Sequence, residues 1–287
     1  MHKKLRRIWL CADDYGMAPG VNDAIRQLIA TRRINATSVM TAASHLGEAE
    51  ARALVEANAQ GHAALGLHVT LTAPFRPLSF GFAPLRGDAF LPQTELMRLA
   101  LMRRLDIRKL TTEIAAQVAA FISAFGRPPD YLDGHQHVQL LPQVRDAFLQ
   151  VAAEFAPGAW VRQCGRPRGA KAVHDPKGLV IDILNVGFRN KATRHGVTTN
   201  PAFAGAYAFN PNADFAKIFP RFLKGLPDGG LIMCHPGFVD EALRSLDNLT
   251  TLREQEFAFF SSDAFLAALA AHNVTLQNAS GEAGGTT

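Results

Sequence analysis

Short apolar runs with strand character recur along the chain at intervals long enough for a helix, and this rhythm limits the fold more than any other feature. The runs are Arg7–Ala12, Ser38–Ala43, Leu65–Leu71, Tyr131–Leu132, Ala159–Arg162, Leu179–Leu184 and Gly230–Cys234. Helical periods fill several gaps. Val21–Arg33 puts Val21, Ala24, Ile25, Leu28 and Ile29 on one face, with Pro19 near its start. Leu110–Phe125 repeats the pattern through Ile114, Val118, Phe121, Ile122 and Phe125, then stops at Gly126-Arg127-Pro128-Pro129, because proline cannot continue a helix. Asp263–Ala271 reads as a last short amphipathic helix. The alternation argues for an α/β protein. Pro74–Pro92 and Arg162–Asp175 break the rhythm, and loops of such length tend to be binding loops or lids.

With 287 residues, 48% of them hydrophobic and only 19% charged, the chain buries a sizeable core and is no disordered polymer. An α/β barrel of this size is one unit, so a single domain is expected over 1–287, with a loose polar tail at about 279–287. The balance of 30 Lys+Arg against 25 Asp+Glu gives +5, and only Met1–Arg7 and Arg162–Lys171 are locally basic. Neither cluster carries interleaved aromatics or a reading motif, so no nucleic-acid partner is expected. MHKKLRR followed by IWLCA imitates the start of a signal peptide, but Asp13 and Asp14 end the apolar run after five residues. No stretch approaches the roughly 18 apolar residues of a membrane span. Three widely spaced cysteines, Cys11, Cys164 and Cys234, fit a reducing compartment, and the expected location is the cytoplasm. A homo-oligomer is left open.

Four segments share one design, in which an apolar strand ends and residues able to bind a metal or move a proton follow. In Ala12-Asp13-Asp14-Tyr15-Gly16, side chains alternate across a strand, so one carboxylate could bind a metal while the other stays free as a base. The plainer alternative is a turn or a helix cap. His68 interrupts an apolar strand, where a hydrogen-bonded core histidine is the competing reading. Asp133, His135 and His137 share parity and would project to one face if their strand stays extended. His235 closes Leu231–Cys234 and precedes Pro236, which denies further ladder pairing. Strand carboxyl ends are where α/β barrels place their chemistry. An Asp with two His suits catalytic Zn²⁺, whereas Mg²⁺ prefers more oxygen ligands, and composition does not choose between them. Such an ion suits hydrolysis of an amide or ester, with a carboxylate taking a proton and a histidine giving one to the leaving amine.

These motifs, Ala12–Gly16, Gly66–Leu71, Leu132–His137 and Cys234–Gly237, resemble in order and spacing the YdjC-like carbohydrate deacetylases of the ChbG/HpnK type. The likeness continues through Thr199–Gly205 and Arg253–Glu256. It implies a distorted, TIM-barrel-like (β/α) barrel similar to polysaccharide deacetylases, which removes N-acetyl groups from an amino sugar or short oligosaccharide with one divalent metal ion, Mg²⁺ or Zn²⁺. By motif, Asp14, His68 and His135 would be metal ligands, Asp13 the general base and His235 the general acid or transition-state stabiliser. Asp133, His137 and Tyr15 would hold ligands in place or touch water or substrate. Gln136 and Gln139 stand where ChbG-type members often carry histidines, which bears on the sugar contacts, and Tyr15 replaces the more frequent Phe.

Four further residues are candidates. Arg162 could orient Asp13, bind substrate or be a surface charge; Phe203 could stack on a sugar or belong to the core; Arg253 and Glu254 sit in an expected helix, where a solvated ion pair is the plainer alternative. Competing functions are a metal-dependent hydrolase or lyase acting on a different amide, ester or phosphate, and a catalytically silent sugar-binding protein.

Overall fold

The computed structural model describes residues 4–167, 176–208, 210 and 213–279. Residues 280–287 of the expected tail and 168–175 of the second irregular stretch lie outside them. Strands are β1 (Arg6–Tyr15), β2 (Ala36–Val39), β3 (Ala64–Val69), β4 (Tyr131–Gly134), β5 (Trp160–Val161), β6 (Phe203–Ala204), β7 (Leu231–Cys234) and β8 (Val274–Leu276). The helices are α1 (Pro19–Ala30), α2 (Glu48–Ala57), α3 (Gln93–Leu101), α4 (Ile107–Phe125), α5 (Val144–Phe155) and α6 (Pro176–Asn185). They continue with α7 (Phe188–Arg194), α8 (Phe215–Leu223), α9 (Glu241–Leu246), α10 (Thr251–Ser261) and α11 (Asp263–Ala271).

The strands form one sheet in the order β5-β4-β3-β2-β1-β7-β6, with β8 added beside the start of β1, and the pairings are parallel. The sheet curls until its edges meet irregularly: Val161 bridges Thr199, and the Phe203 N–H donates to the Gly165 carbonyl at 2.9 Å. This is a distorted (β/α) barrel. Parallel pairing brings the carboxyl ends of the strands to one rim, which gathers Asp13 and Asp14 from β1, His68 from β3, Asp133 from β4, Arg162 after β5 and His235 after β7.

Six of the seven expected runs contain strands, the seventh is a helix, and the short strands β6 and β8 lie outside the expected runs. Leu179–Leu184, expected as a strand, is the core of helix α6. A helix lets Val180, Ile181 and Leu184 face the same cavity, whereas a strand would send alternate residues to opposite sides. The expected shared face of Asp133, His135 and His137 is also corrected. β4 ends at Gly134, and His135–Leu140 winds into a 3₁₀ turn with Gln136 and His137 at φ 54° and 59°. A Cβ on Gly134 would crowd Val138 Cγ2 at 2.9 Å and the Gln139 backbone nitrogen at 3.1 Å, so this tight departure from the sheet favours glycine. The loop Pro74–Pro92 is irregular as expected, and it is pinned: buried Glu113 accepts hydrogen bonds from the Leu78 and Ser79 N–H groups.

Gly205 yields a stability prediction. It follows β6 at φ 109°, and a Cβ there would lie 2.2 Å from the Met233 carbonyl oxygen on β7, a backbone atom that cannot step aside. Gly205→Ala is expected to cost about 2 kcal/mol or more through overpacking and backbone strain. Urea unfolding checks this, with the midpoint falling at unchanged slope.

Candidate metal and catalytic site

Asp13 and Asp14 both reach the rim cavity, which simple alternation along β1 forbids. The cause is local: Asp14 has φ 72°, and the register of β1 against β2 shifts between Ala12 and Tyr15. A non-glycine residue held there is strained, and such strain concentrates at functional sites. Tyr15 is thereby turned away from the cavity into the core, where its hydroxyl donates to Glu50 and accepts from Arg26 at 3.3 Å. The expected Tyr15 hydroxyl near water or substrate is therefore not present.

The Asp14 Oδ1 atom lies 3.4 Å from His68 Nε2 and 2.9 Å from His135 Nδ1. Asp14, His68 and His135 offer one ligand atom each, all within 4.8 Å of one another and buried. Behind them, His68 Nδ1 stands 2.6 Å from Asp133 Oδ1. A carboxylate at the far ring nitrogen is the usual support of a metal-binding histidine, fixing its tautomer and orientation. Burial works against a charged imidazole at His68, yet Asp133 and Asp13 raise its pKa to about 10. The donor set and its support fit a divalent cation. Phe75 from the pinned loop packs edge-on against the His135 ring at 5.8 Å.

Arg162, expected either at the site or on the surface, is fully buried. Its guanidinium donates to Asp13 Oδ2 at 2.7 Å and Oδ1 at 2.6 Å, and contacts Asp133 Oδ2 at 2.5 Å. One cation thus links the proposed base to the carboxylate that orients His68. Burial opposes ionisation of Asp13, but Arg162 outweighs it and holds the carboxyl well below the usual carboxylate range. Ser38 adds a hydrogen bond to Asp133 at 2.6 Å, while Arg162 Nε is buried without a hydrogen-bond partner among the described residues.

His137 and His235 both line the cavity. Burial, followed by the charge of Arg162, pushes the His137 imidazole down to about 3, which keeps it neutral. Phe203 is buried and meets His137 edge to face at 5.7 Å; it supports that ring from the core and does not line the cavity where a sugar would stack. The His235 N–H donates to Glu256 Oε2 at 2.5 Å, and Glu256 accepts from the Tyr207 hydroxyl at 2.7 Å. The cavity, of about 370 Å³, is also lined by Met97, Leu141, Ile181, Leu184, Met233 and Leu249, which add apolar surface to the charged groups.

Helix α10 brings Arg253 to the site in a setting that the solvated alternative did not anticipate. Arg253 is buried, not solvated, and donates to Asp14 Oδ2 at 2.7 Å and Asp247 Oδ2 at 2.6 Å. Its expected partner Glu254 instead accepts from the Val239 N–H at 3.2 Å, since adjacent helix residues point apart. A signal was present: Leu252, Arg253, Glu256, Phe259 and Phe260 recur at helical spacing and form the buried stripe.

Comparison with known proteins agrees with this architecture. A family model described as YdjC-like protein matches residues 7–271. A chitooligosaccharide deacetylase of Yersinia pestis (strain Pestoides F) is 30% identical over 247 residues, covering 81% of this chain and 82% of that protein. Among solved structures, an Enterococcus faecalis V583 protein proposed to cleave cellobiose phosphate superposes with a TM-score of 0.73 at 18% identity, covering 96% of this chain and 98% of the other. A lactam utilization protein of Thermus thermophilus superposes with a TM-score of 0.52 at 14% identity, covering 95% and 99%. Both share the fold. With a family match across nearly the whole chain, a 30%-identical relative and the four strand-end motifs gathered on one rim, the chain belongs to the YdjC-like family.

Proposed function

We propose that the protein is a metal-dependent carbohydrate deacetylase acting on an N-acetylated amino sugar or short oligosaccharide. The observation that carries this reading is the convergence of Asp14, His68 and His135 beside an Asp13 kept ionised by Arg162. The similarity to a chitooligosaccharide deacetylase supports the choice of substrate class. One carboxylate and two imidazoles suit Zn²⁺ better than Mg²⁺. When bound, a divalent ion supplies Lewis acidity that polarises an acyl oxygen and eases the ionisation of water.

The chain's own residues provide the rest. Asp13, ionised and fixed by two charge-assisted hydrogen bonds, takes the proton of the attacking water. Arg162 and Asp133 keep Asp13 and His68 in place, so little reorganisation accompanies the attack. His235, after β7 on the same rim, gives a proton to the departing amine. The apolar surface of Met97, Leu141, Ile181 and Leu184 suits an acetyl methyl and the nonpolar face of a sugar ring.

The test is acetate release from N-acetylglucosamine, diacetylchitobiose and longer chitooligosaccharides by Zn²⁺-loaded protein. Release from at least one is expected; none from the panel, or no uptake of a divalent ion, defeats the reading. His235→Ala is expected to retain the ion and lose about 10²-fold in turnover, the low end for a general acid. An unchanged rate would remove His235 from the mechanism.

A further inference from the structure

Arg253 comes from outside the strand-end motifs, and its geometry bears on one ligand of the proposed ion. A buried guanidinium is costly unless ion-paired. Here one nitrogen, Nη2, serves both Asp14 Oδ2 at 2.7 Å and Asp247 Oδ2 at 2.6 Å, while Nε donates to the Leu249 carbonyl at 3.0 Å. Nη1 is buried with no hydrogen-bond partner among the described residues. Arg253 is therefore not a fully satisfied structural strut, and its strongest bonds go to a site carboxylate and to a carboxylate of the cavity wall.

The two oxygens of Asp14 have different occupations. Oδ1 faces His68 and His135, at 3.4 and 2.9 Å, and Oδ2 is held by Arg253. We propose that Arg253 is a positioning residue that fixes Asp14 as a single-oxygen ligand, with Asp247 as the tie that anchors the guanidinium to the loop between α9 and α10. This rests on the metal-dependent reading above. Without Arg253, the Asp14 carboxylate is free to rotate, and its strained backbone at φ 72° has lost one of the contacts that hold the side chain on the histidines. With lysine, charge remains, but the Nε bond to the Leu249 carbonyl that orients the guanidinium is lost, and a more flexible stem must bring its ammonium to both carboxylates.

The experiment measures Zn²⁺ dissociation constants by competition with a chromophoric chelator for the wild type, Arg253→Gln and Arg253→Lys, with far-UV circular dichroism to confirm folding. Outer partners of metal ligands typically contribute 10–100-fold to affinity, so Arg253→Gln is expected to weaken Zn²⁺ binding by about that factor. Arg253→Lys should fall between it and the wild type, at least about 3-fold weaker. A folded Arg253→Gln that binds Zn²⁺ as tightly as the wild type, or more tightly, overturns the proposal. If Arg253→Gln does not fold, Arg253→Lys decides alone, and wild-type affinity there overturns it. A wild type that takes up no Zn²⁺ is a different failure, of the metal reading itself.

Discussion

Asp13→Asn is expected to abolish nearly all turnover, by about 10³-fold or more, while the protein still takes up one divalent ion per chain. The carboxylate is absent from the Asp14, His68 and His135 group, so the ion-binding atoms stay in place. What disappears is the proposed proton acceptor, and general bases contribute roughly 10²–10⁴-fold. The substitution also disturbs the network beneath the cavity. Arg162 donates to both Asp13 oxygens, and asparagine offers one acceptor where there were two, turning an NH₂ toward the other guanidinium donor. A moderate loss of stability, about 1–3 kcal/mol, is expected from the unpaired buried donor. Acetate release and metal content measured on the same preparation separate the two roles. Parallel loss of ion and activity would contradict the division of labour between the two aspartates.

Much of this arrangement was legible in the sequence because strand-end chemistry leaves a local mark. Asp13, Asp14 and His235 each close an apolar run and His68 stands near the end of one, and parallel pairing carries such strand ends to one rim. Arg162 could be placed at a strand end but not assigned, since burial and pairing depend on which strands become neighbours. The failures have equally specific causes. Parity along β4 held only to Gly134, where the chain leaves the sheet. Tyr15 was misplaced because the left-handed backbone at Asp14 changes which side chains face the cavity, an effect invisible to a period of two. Leu179–Leu184 looked like a strand because a short apolar run does not distinguish the two states, and its packing beside the cavity decided for helix. Arg253 and Glu256 were not placed at the site because charged helix residues ordinarily face solvent, and their burial here depends on what α10 packs against.

Removing either imidazole is expected to empty the ion site, and the two substitutions should differ in what else they damage. His68→Ala and His135→Ala each leave two of three donors, so Zn²⁺ affinity should fall by more than the roughly 100-fold that marks the loss of a merely supporting partner. Turnover should fall with it to the assay background. His68 is fully enclosed and its Nδ1 pairs with Asp133, so its removal also leaves a buried carboxylate oxygen without that partner. A stability loss of about 2 kcal/mol or more is expected from the orphaned group and the cavity together. His135 is slightly more exposed, packs beside Phe75, and its carboxylate contact among the described residues is with Asp14 itself, so His135→Ala should lose the ion with a smaller shift in unfolding midpoint. Metal analysis after dialysis against Zn²⁺, paired with urea unfolding of the ion-free proteins, reads both quantities. Full occupancy in both variants would sink the ligand assignment, whereas ion loss in both with the larger destabilisation at His68 would tie the site to Asp133 and, through Arg162, to the base that works beside it.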